Sequence, residues 1–548
     1  MAEENVKQKK EITIIIKKPE LIVLLAFALF ALILELNVTL KTPIVFGDEG
    51  FHTRLAQLIA QDKEYFVNYP FEKTTLIQGA YSRPPLWNLL EAGIFSIFGF
   101  NETIVRVLTP FIAVMTGIAV FLLTKRILDE KTALFASIIT ITVPSFVTYS
   151  VLFYTDMLLS FYIALSVLLV VISLKTNSRK YLYLAATFAS LAFLTKTQGL
   201  ATIVFFATGF LYEILSNKKY STVLKKYIPI FLVMILIVSG FLVRNYMYFK
   251  APICYRIPII GSLNLYNLDG CGKNNVVSSS SFATRTLSTG TEGSVYSVGL
   301  SSYLNFAFGN LWFVVYASVA GLLFLILKND KSINIMLLYM MFLMLLFPFI
   351  AERAEDTARH SLSWVFLIGI ISASFFSEVY RTIKKYNKYI AITVFIVVMI
   401  LSYQNLSTKL ATMEQVKQFS PFFFQACDWV NQNLPQNITL YTVWDHRAIY
   451  NCQRNAIAQG AVPDIALSND INVSLKAAKE NNIDYIFIQK FSIDSQNRNI
   501  GEMYNLNFIN FLENNNKTFT KVYENGPDMQ QCLQQGGCDG SLIYRINI

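Results

Sequence analysis

Charge is scarce in this chain. Asp, Glu, Lys and Arg make up 15% of its 548 residues, against 54% hydrophobic ones. That balance excludes a soluble globular protein of this length. Short segments of alternating apolar and polar residues do not dominate either, which argues against a β-barrel. Cysteine is absent from every membrane-length apolar run, and no internal repeat is evident. No small-residue cleavage site follows the first apolar run, so that run reads as a retained span. The net charge of +10 does not point to nucleic acid. The Lys and Arg sit in short connections between apolar runs, where they orient a membrane protein.

What is present is a series of apolar runs long enough to cross a bilayer as helices. They fall at 20–36, 104–124, 132–149, 157–174, 181–196, 200–215, 227–245, 302–327, 333–350, 361–378 and 389–403. The expected fold is therefore a multi-pass α-helical membrane protein of about eleven spans. Basic residues gather in alternate connections, including Lys125-Arg126, Lys175, Lys218-Lys219, Lys328 and Lys384-Lys385. The positive-inside rule assigns these and the N-terminus to the cytoplasm of a cell membrane, with the C-terminus outside. Residues 84–100 form one further apolar run. Counting it as a span would invert every later connection. It is read instead as a helix in the outer interface, in keeping with its shortness and with Glu91. Residues 50–62 give a second surface helix.

The expected organisation is a membrane domain over 1–403, with long outer loops at 41–103 and 246–300. The second of these holds a Ser/Thr/Gly-rich stretch that reads as mobile. Hydropathy falls from about 404, and 404–548 reads as an extracytoplasmic α/β domain. Its expected elements are a helix at 421–433, a strand at 438–443, a helix near 471–482, and strands at 483–488 and 541–546. All six cysteines fall on the outer side: Cys254, Cys271, Cys427, Cys452, Cys532 and Cys538. An even count in an oxidising compartment suggests disulfides. Sequential pairing, 254 with 271, 427 with 452 and 532 with 538, is the simplest of fifteen connectivities.

Threading also brings the polar residues near the membrane to one face. Asp48 and Glu49 follow the first span, in G-D-E-G-F-H. Carboxylates at a membrane boundary are costly and need a reason. Asp156 lies between the third and fourth spans. Arg83 precedes Pro84-Pro85, Lys196 ends the fifth span and Arg244 ends the seventh. Arg353, Arg359 and His360 follow the ninth. Cations of this kind can hold a lipid phosphate, and a carboxylate can deprotonate an acceptor hydroxyl. Two carboxylates near a phosphate also suit Mg2+ or Mn2+, with Asp48 and Asp156 as ligands. Structural alternatives exist for each. Asp48 and Glu49 can favour the helix start that follows them, and Asp156 can cap a span. Arg83 can anchor to headgroups, and Lys196 can snorkel. His52, a lone histidine, reads as a polar surface residue.

The motifs D-E at 48–49, Y-S-R-P-P-L-W at 81–87, F-G-F-N-E-T-I-V-R at 98–106, T-D-M-L-L-S-F at 155–161, L-A-F-L-T-K at 191–196 and R-N-Y at 244–246 are informative in their order and spacing. Together they resemble the type C membrane glycosyltransferases, especially protein O-mannosyltransferases and bacterial aminoarabinose transferases. The resemblance implies a polyprenyl-phosphate-linked sugar donor and an inverting transfer on the outer face to a protein, glycan or lipid. It implies that Asp48, with Glu49 beside it, activates the acceptor, that Asp156 is the second-loop acid, and that Arg83 stands where the family often has Lys. It fades beyond about residue 260. The outer segment C-D-W-V-N-Q-N-L-P at 427–435, then V-W-D-H-R at 443–447, resembles the outer-domain start of archaeal oligosaccharyltransferases. Trp444 and Asp445 match their W-W-D-Y-G signature, without its Tyr-Gly. Two alternatives follow: an oligosaccharyltransferase-like enzyme acting on Asn, or a transporter or flippase for lipid-linked sugars. A transporter would place its ionisable residues near the midplane, whereas here most flank the spans.

Overall fold

The computed structural model describes residues 18–44, 47–62, 83–216, 220–249, 252, 312–328, 330, 333–339, 359, 361–417, 420–459, 462–468, 470–490, 493–494, 504–528 and 539–547. Arg353, His360, Cys254, Cys271, Cys532, Cys538 and the Ser/Thr/Gly-rich stretch lie outside the described residues.

The chain begins with α1 (Lys18–Lys41), then α2 (Gly47–Asp62), α3 (Leu86–Phe98), α4 (Glu102–Arg106) and α5 (Leu108–Ile127). Next come α6 (Glu130–Thr142), α7 (Pro144–Val151), α8 (Thr155–Thr176), α9 (Arg179–Thr195), α10 (Leu200–Ser216) and α11 (Tyr220–Phe249). The bundle closes with α12 (Trp312–Lys328), α13 (Val365–Tyr386) and α14 (Lys388–Lys417). Residues 333–339 are also helical.

Among the described residues, seven helices are long and apolar enough to cross a membrane, and a bent pair makes eight. The protein is therefore a multi-pass membrane protein, but eleven spans are not all shown. Helix α9 has only 17 residues, and most of 333–350 lies outside the described residues. The helices are apolar on both faces, as membrane helices are. In α1, Leu24, Ala31 and Val38 are buried while Ile22, Leu29 and Ile33 are exposed. The span expected at 132–149 is broken: α6 and α7 meet at a 60° bend. The break falls at Val143-Pro144, where proline removes a helical donor. Helices α12 and α13 approach closely at Gly321, where a Cβ would collide with the Ile371 carbonyl.

Helix α3 has 13 residues, too short to span. It buries Trp87, Asn88, Glu91 and Phe95 and exposes Leu89, Leu90, Ile97 and Phe98. An exposed apolar face beside a buried polar one suits a helix resting in the interface. The expected helix at 50–62 begins earlier, at Gly47, so Asp48 and Glu49 stand in its first turn. Acids are favourable there because they face the positive end of the helix dipole.

Helix α14 does not stop where hydropathy falls near 404. It continues to Lys417, held to the bundle by buried Leu406, Leu410 and Met413 and by a Lys41–Glu414 ion pair at 3.6 Å. The C-terminal unit, labelled the outer unit after its expected placement, follows as α15 (Pro421–Asn433), β1 (Thr439–Thr442), α16 (Asp445–Asn451), β2 (Asn455–Ala458), α17 (Pro463–Leu467), α18 (Ile471–Glu480) and β3 (Tyr485–Gln489). Then come β4 (Ile493–Asp494), β5 (Tyr504–Asn505), α19 (Leu506–Asn514), β6 (Phe519–Asn525) and β7 (Ser541–Ile546). Five strands form one sheet in the order β2-β1-β3-β7-β6. The β2-β1-β3 part is parallel, and β7 pairs antiparallel with both β3 and β6. Apolar clusters cover both faces, one around Tyr441, Ile486 and Tyr504, the other around Phe423, Leu440 and Phe487. A disulfide joins Cys427 of α15 to Cys452 at the end of α16.

The outer unit docks on the membrane domain through α16, which packs on α2. Glu102 organises the joint. Its carboxylate accepts from Ile44 N at 3.0 Å, from Arg106 at 3.0 Å and from the Tyr450 hydroxyl at 3.3 Å.

Candidate active site

Asp48 and Asp156 are 108 positions apart in the chain, yet one side chain touches both. Arg359 reaches Asp48 Oδ2 through Nη1 at 2.7 Å and Asp156 Oδ2 through Nε at 3.1 Å. Lys196 Nζ donates to the other Asp156 oxygen, Oδ1, at 2.7 Å. Arg83 Nη1 lies 3.8 Å from Asp48 Oδ1. The bundle makes this possible by ending helices at one level. Asp48 is in the first turn of α2 and Asp156 in the first turn of α8. Lys196 directly follows α9, and Arg359 precedes the short 3-10 turn leading into α13.

Burial differs between the acids. The Asp156 side chain is 2% exposed and that of Asp48 is 21%. A carboxylate as buried as Asp156 needs pairing, and two cations supply it. Burial opposes charge on Arg359, but Asp156 and then Asp48 outweigh it and hold the guanidinium well above its usual range. The Tyr154 ring lies under this guanidinium at 4.4 Å. Burial, with Asp48 next, pushes the Tyr154 hydroxyl well above the ordinary tyrosine range. Two carboxylates thus face three cations, Arg83, Lys196 and Arg359, leaving one positive charge in excess.

Glu49 points elsewhere. It is fully buried, and its Oε1 accepts from the Phe153 backbone N–H at 2.7 Å. Arg447 of α16 feels the charge of Glu49 across the domain joint and stacks on the Trp444 ring at 4.2 Å. Burial lowers the Arg447 guanidinium to about 10, against the pull of Tyr154 and Glu49. His52 is not a surface residue. It is 5% exposed, and its Nδ1 pairs with Asn88 Oδ1 of α3 at 2.7 Å. Burial and then Arg83 lower its imidazole to about 4, so it is neutral at physiological pH.

Arg244 lies in the last turns of α11, where its Nη1 donates to Asn245 Oδ1 at 3.1 Å. Tyr154 and Arg447 have no part in the expectations from sequence. Tyr154 was visible as the aromatic two residues before Asp156. Arg447 closes the V-W-D-H-R segment, whose proximity to α2 no local pattern encodes.

Residues 82–243 match the model of the dolichyl-phosphate-mannose-protein mannosyltransferase family. No curated protein matches the chain significantly. Solved structures show the same fold at low identity. The structure of ArnT from Cupriavidus metallidurans bound to undecaprenyl phosphate is 11% identical, with a TM-score of 0.61 covering 96% of this chain and 98% of that one. The archaeal oligosaccharyltransferase AglB from Archaeoglobus fulgidus, in complex with an inhibitory peptide and a dolichol-phosphate, is 13% identical, with a TM-score of 0.57 over 85% and 69%. The same enzyme in complex with Zn and sulfate is 12% identical, with a TM-score of 0.56 over 84% and 68%. The fold is that of the type C membrane glycosyltransferases.

Proposed function

We propose that this protein transfers a sugar from a polyprenyl-phosphate-linked donor to an acceptor on the outer face of a cell membrane, with inversion. The observation that carries this is the meeting of Asp48, Asp156, Arg83, Lys196 and Arg359 at one level of the bundle. Undecaprenyl phosphate and dolichol-phosphate in the two structural neighbours support a lipid phosphate as the ligand.

In this reading the acceptor oxygen attacks the anomeric carbon, whose bond to the phosphate oxygen breaks. The lipid phosphate leaves as an anion and needs no general acid. The acceptor proton passes to Asp48, the more exposed carboxylate. Arg83, Lys196 and Arg359 hold the phosphate, with Arg244 and His360 as further candidates. Arg359 is the pivot. A phosphate entering the cluster competes with the carboxylates for its guanidinium and loosens its grip on Asp48. Asp156 fixes Lys196 and Arg359. Glu49 holds the 153 backbone in place and is a positioning residue in this scheme.

One neighbour is complexed with zinc, so a metal ion is compatible with the fold. The donor set here does not favour one between Asp48 and Asp156, because Arg359 already bridges them. Among the described residues no three His, Cys, Asp or Glu side chains cluster as ligands.

An oligosaccharyltransferase-like action on Asn is the second reading. The packing of α16, with Trp444 and Asp445, against α2 favours it, because the outer unit then lies beside the site. The test is incubation of purified protein with labelled polyprenyl-phosphate sugars and native membrane extract. Label transferred to an acceptor with release of lipid phosphate is expected. Label carried across vesicles without transfer would leave a flippase instead.

A further inference from the structure

The end of the bundle opposite the carboxylate cluster carries a narrow groove of about 190 Å³ between α1, α6, α13 and α14. That is smaller than an ordinary small-molecule pocket and suits part of one extended hydrocarbon chain. Its walls include Val23, Phe135, Ile392 and Phe395, and Ile392 is itself exposed on the lipid-facing side. Water gains nothing in an apolar groove with few polar partners. At membrane depth a hydrocarbon chain is the natural filling.

The polar residues of the groove sit at one end. Glu20 is in the first turn of α1, Lys131 in the first turn of α6, and Tyr380 near the close of α13. The Lys131 ammonium lies over the Tyr380 ring at 4.9 Å. Lys384 and Arg381 of α13 crowd it electrostatically, with Glu20 as its nearby acid. Arg381 is already paired with Asp129 and Glu378. Lys131 lines the slot, and Lys384, one helical turn beyond Tyr380 on α13, is close enough to repel it. Glu20 Oε2 is buried and has no hydrogen-bond partner among the described residues. An acyl slot, two ammonium groups for a phosphate and one carboxylate for a donor form a complementary set.

We propose that this groove is a binding site for a phospholipid with a primary-amine headgroup, of the phosphatidylethanolamine class. One acyl chain lies along Phe135 and Phe395. The phosphate relieves the repulsion between Lys131 and Lys384, and the headgroup ammonium donates to Glu20. This lipid is not the sugar donor. Helix α1 alone, with 24 residues, is about 36 Å long, so the two headgroup sites belong to opposite leaflets. The proposal does not depend on the catalytic reading.

Native mass spectrometry of the full chain in detergent tests it. The probes are palmitoyl-oleoyl phosphatidylethanolamine, the matching phosphatidylcholine, the matching diacylglycerol and inorganic phosphate. The ethanolamine lipid is expected to form the first adduct several-fold more readily than the choline lipid, whose quaternary ammonium has no N–H. Diacylglycerol and inorganic phosphate are expected not to compete. Lys131→Ala with Lys384→Ala lowers the adduct about tenfold, since each surface cation contributes to phosphate binding. Glu20→Gln removes the preference for ethanolamine over choline while phosphate binding persists. Val23→Trp fills the groove and blocks the adduct with all charges intact, and Lys328→Ala leaves it unchanged. Equal adducts with diacylglycerol, or an unaltered adduct in the double lysine variant, overturn the proposal. Loss of the adduct in Lys328→Ala would also overturn it, because the effect would then be nonspecific charge.

Discussion

Asp48 and Glu49 are neighbours on one helix turn and live in different worlds. Asp48 pairs with two cations, Arg83 and Arg359, at the edge of the bundle and keeps a fifth of its side chain open. Glu49 faces inward, is fully buried, and accepts from the Phe153 backbone N–H in the connection that leads into α8 and Asp156. The charge is the same in both. What differs is exposure: Asp48 keeps part of its side chain open and Glu49 keeps none. The comparison teaches that an acidic pair read from sequence is two separate questions, which the helix phase answers.

The largest effect that sharpens this comparison is Asp48→Asn. Transfer is expected to fall by ~10²–10⁴-fold, the usual scale for loss of a general base, with the fold intact. Glu49→Gln should instead lower thermal stability along with turnover, because a buried acceptor to a backbone N–H is weakened. Near-normal transfer in Asp48→Asn together with a loss confined to turnover in Glu49→Gln would reverse the two roles.

Next in size is the joint to the outer unit. Replacing Cys427 and Cys452 by Ser removes a crosslink over 25 residues. The expected cost is about 3 kcal/mol, read from denaturant or thermal unfolding of the outer unit. Because α16 ends at that disulfide and rests on α2, transfer should fall before the bundle itself unfolds. Unchanged transfer after the outer unit loosens would separate it from the Glu49 side of the site.

A smaller change tests the cation side. Arg83→Ala should weaken donor-lipid binding by roughly 1.5–3 kcal/mol, the scale of a charge-assisted hydrogen bond, and Arg83→Lys should keep part of it. Arg244→Ala measured alongside shows whether that residue shares the phosphate. If both leave donor affinity unchanged, the phosphate rests on Lys196 and Arg359.

The smallest effect concerns His52, behind Asp48. Its folded value of about 4 lies below the unfolded value of 6.5, so the unfolded chain binds the extra proton between those limits. Its contribution is complete above 6.5 and is lost as pH falls toward 4. Stability should drop by about 2 kcal/mol between pH 8 and pH 5. Unfolding midpoints across that range check it, and His52→Gln should flatten the profile.

Much of the fold was legible because hydropathy and positive charge obey simple rules in a bilayer. The 13-residue helix at 86–98 was separable from a span by its length and by the charge pattern of later connections. Helix α15 carries an apolar face, and the strands at 439–442 and 541–546 are short runs rich in β-branched and aromatic residues, buried almost throughout. The break at Pro144 was marked by the proline and passed over, because the run stayed apolar across it. At the site, Asp48, Asp156, Arg83 and Lys196 stood out because each is a charge at the end of an apolar run. Arg359 was found only by threading, since its segment resembles nothing local. Its bridging of two acids is a product of tertiary distance. The burial of His52 is hidden for the same reason: its partner Asn88 lies 36 residues away on a different helix.

Helix α14 is one unbroken rod of 30 residues, about 45 Å long, and outlasts a hydrocarbon layer of about 30 Å. Its upper third is therefore a mast, and the outer unit is its cargo. A mast of fixed pitch sets both height and bearing. One residue inserted near Thr408 would raise the cargo by about 1.5 Å and swing it through about 100°. Arg447 would then face away from Glu49. The bearing of the outer unit over the Asp48 cluster is thus written in the residue count of α14.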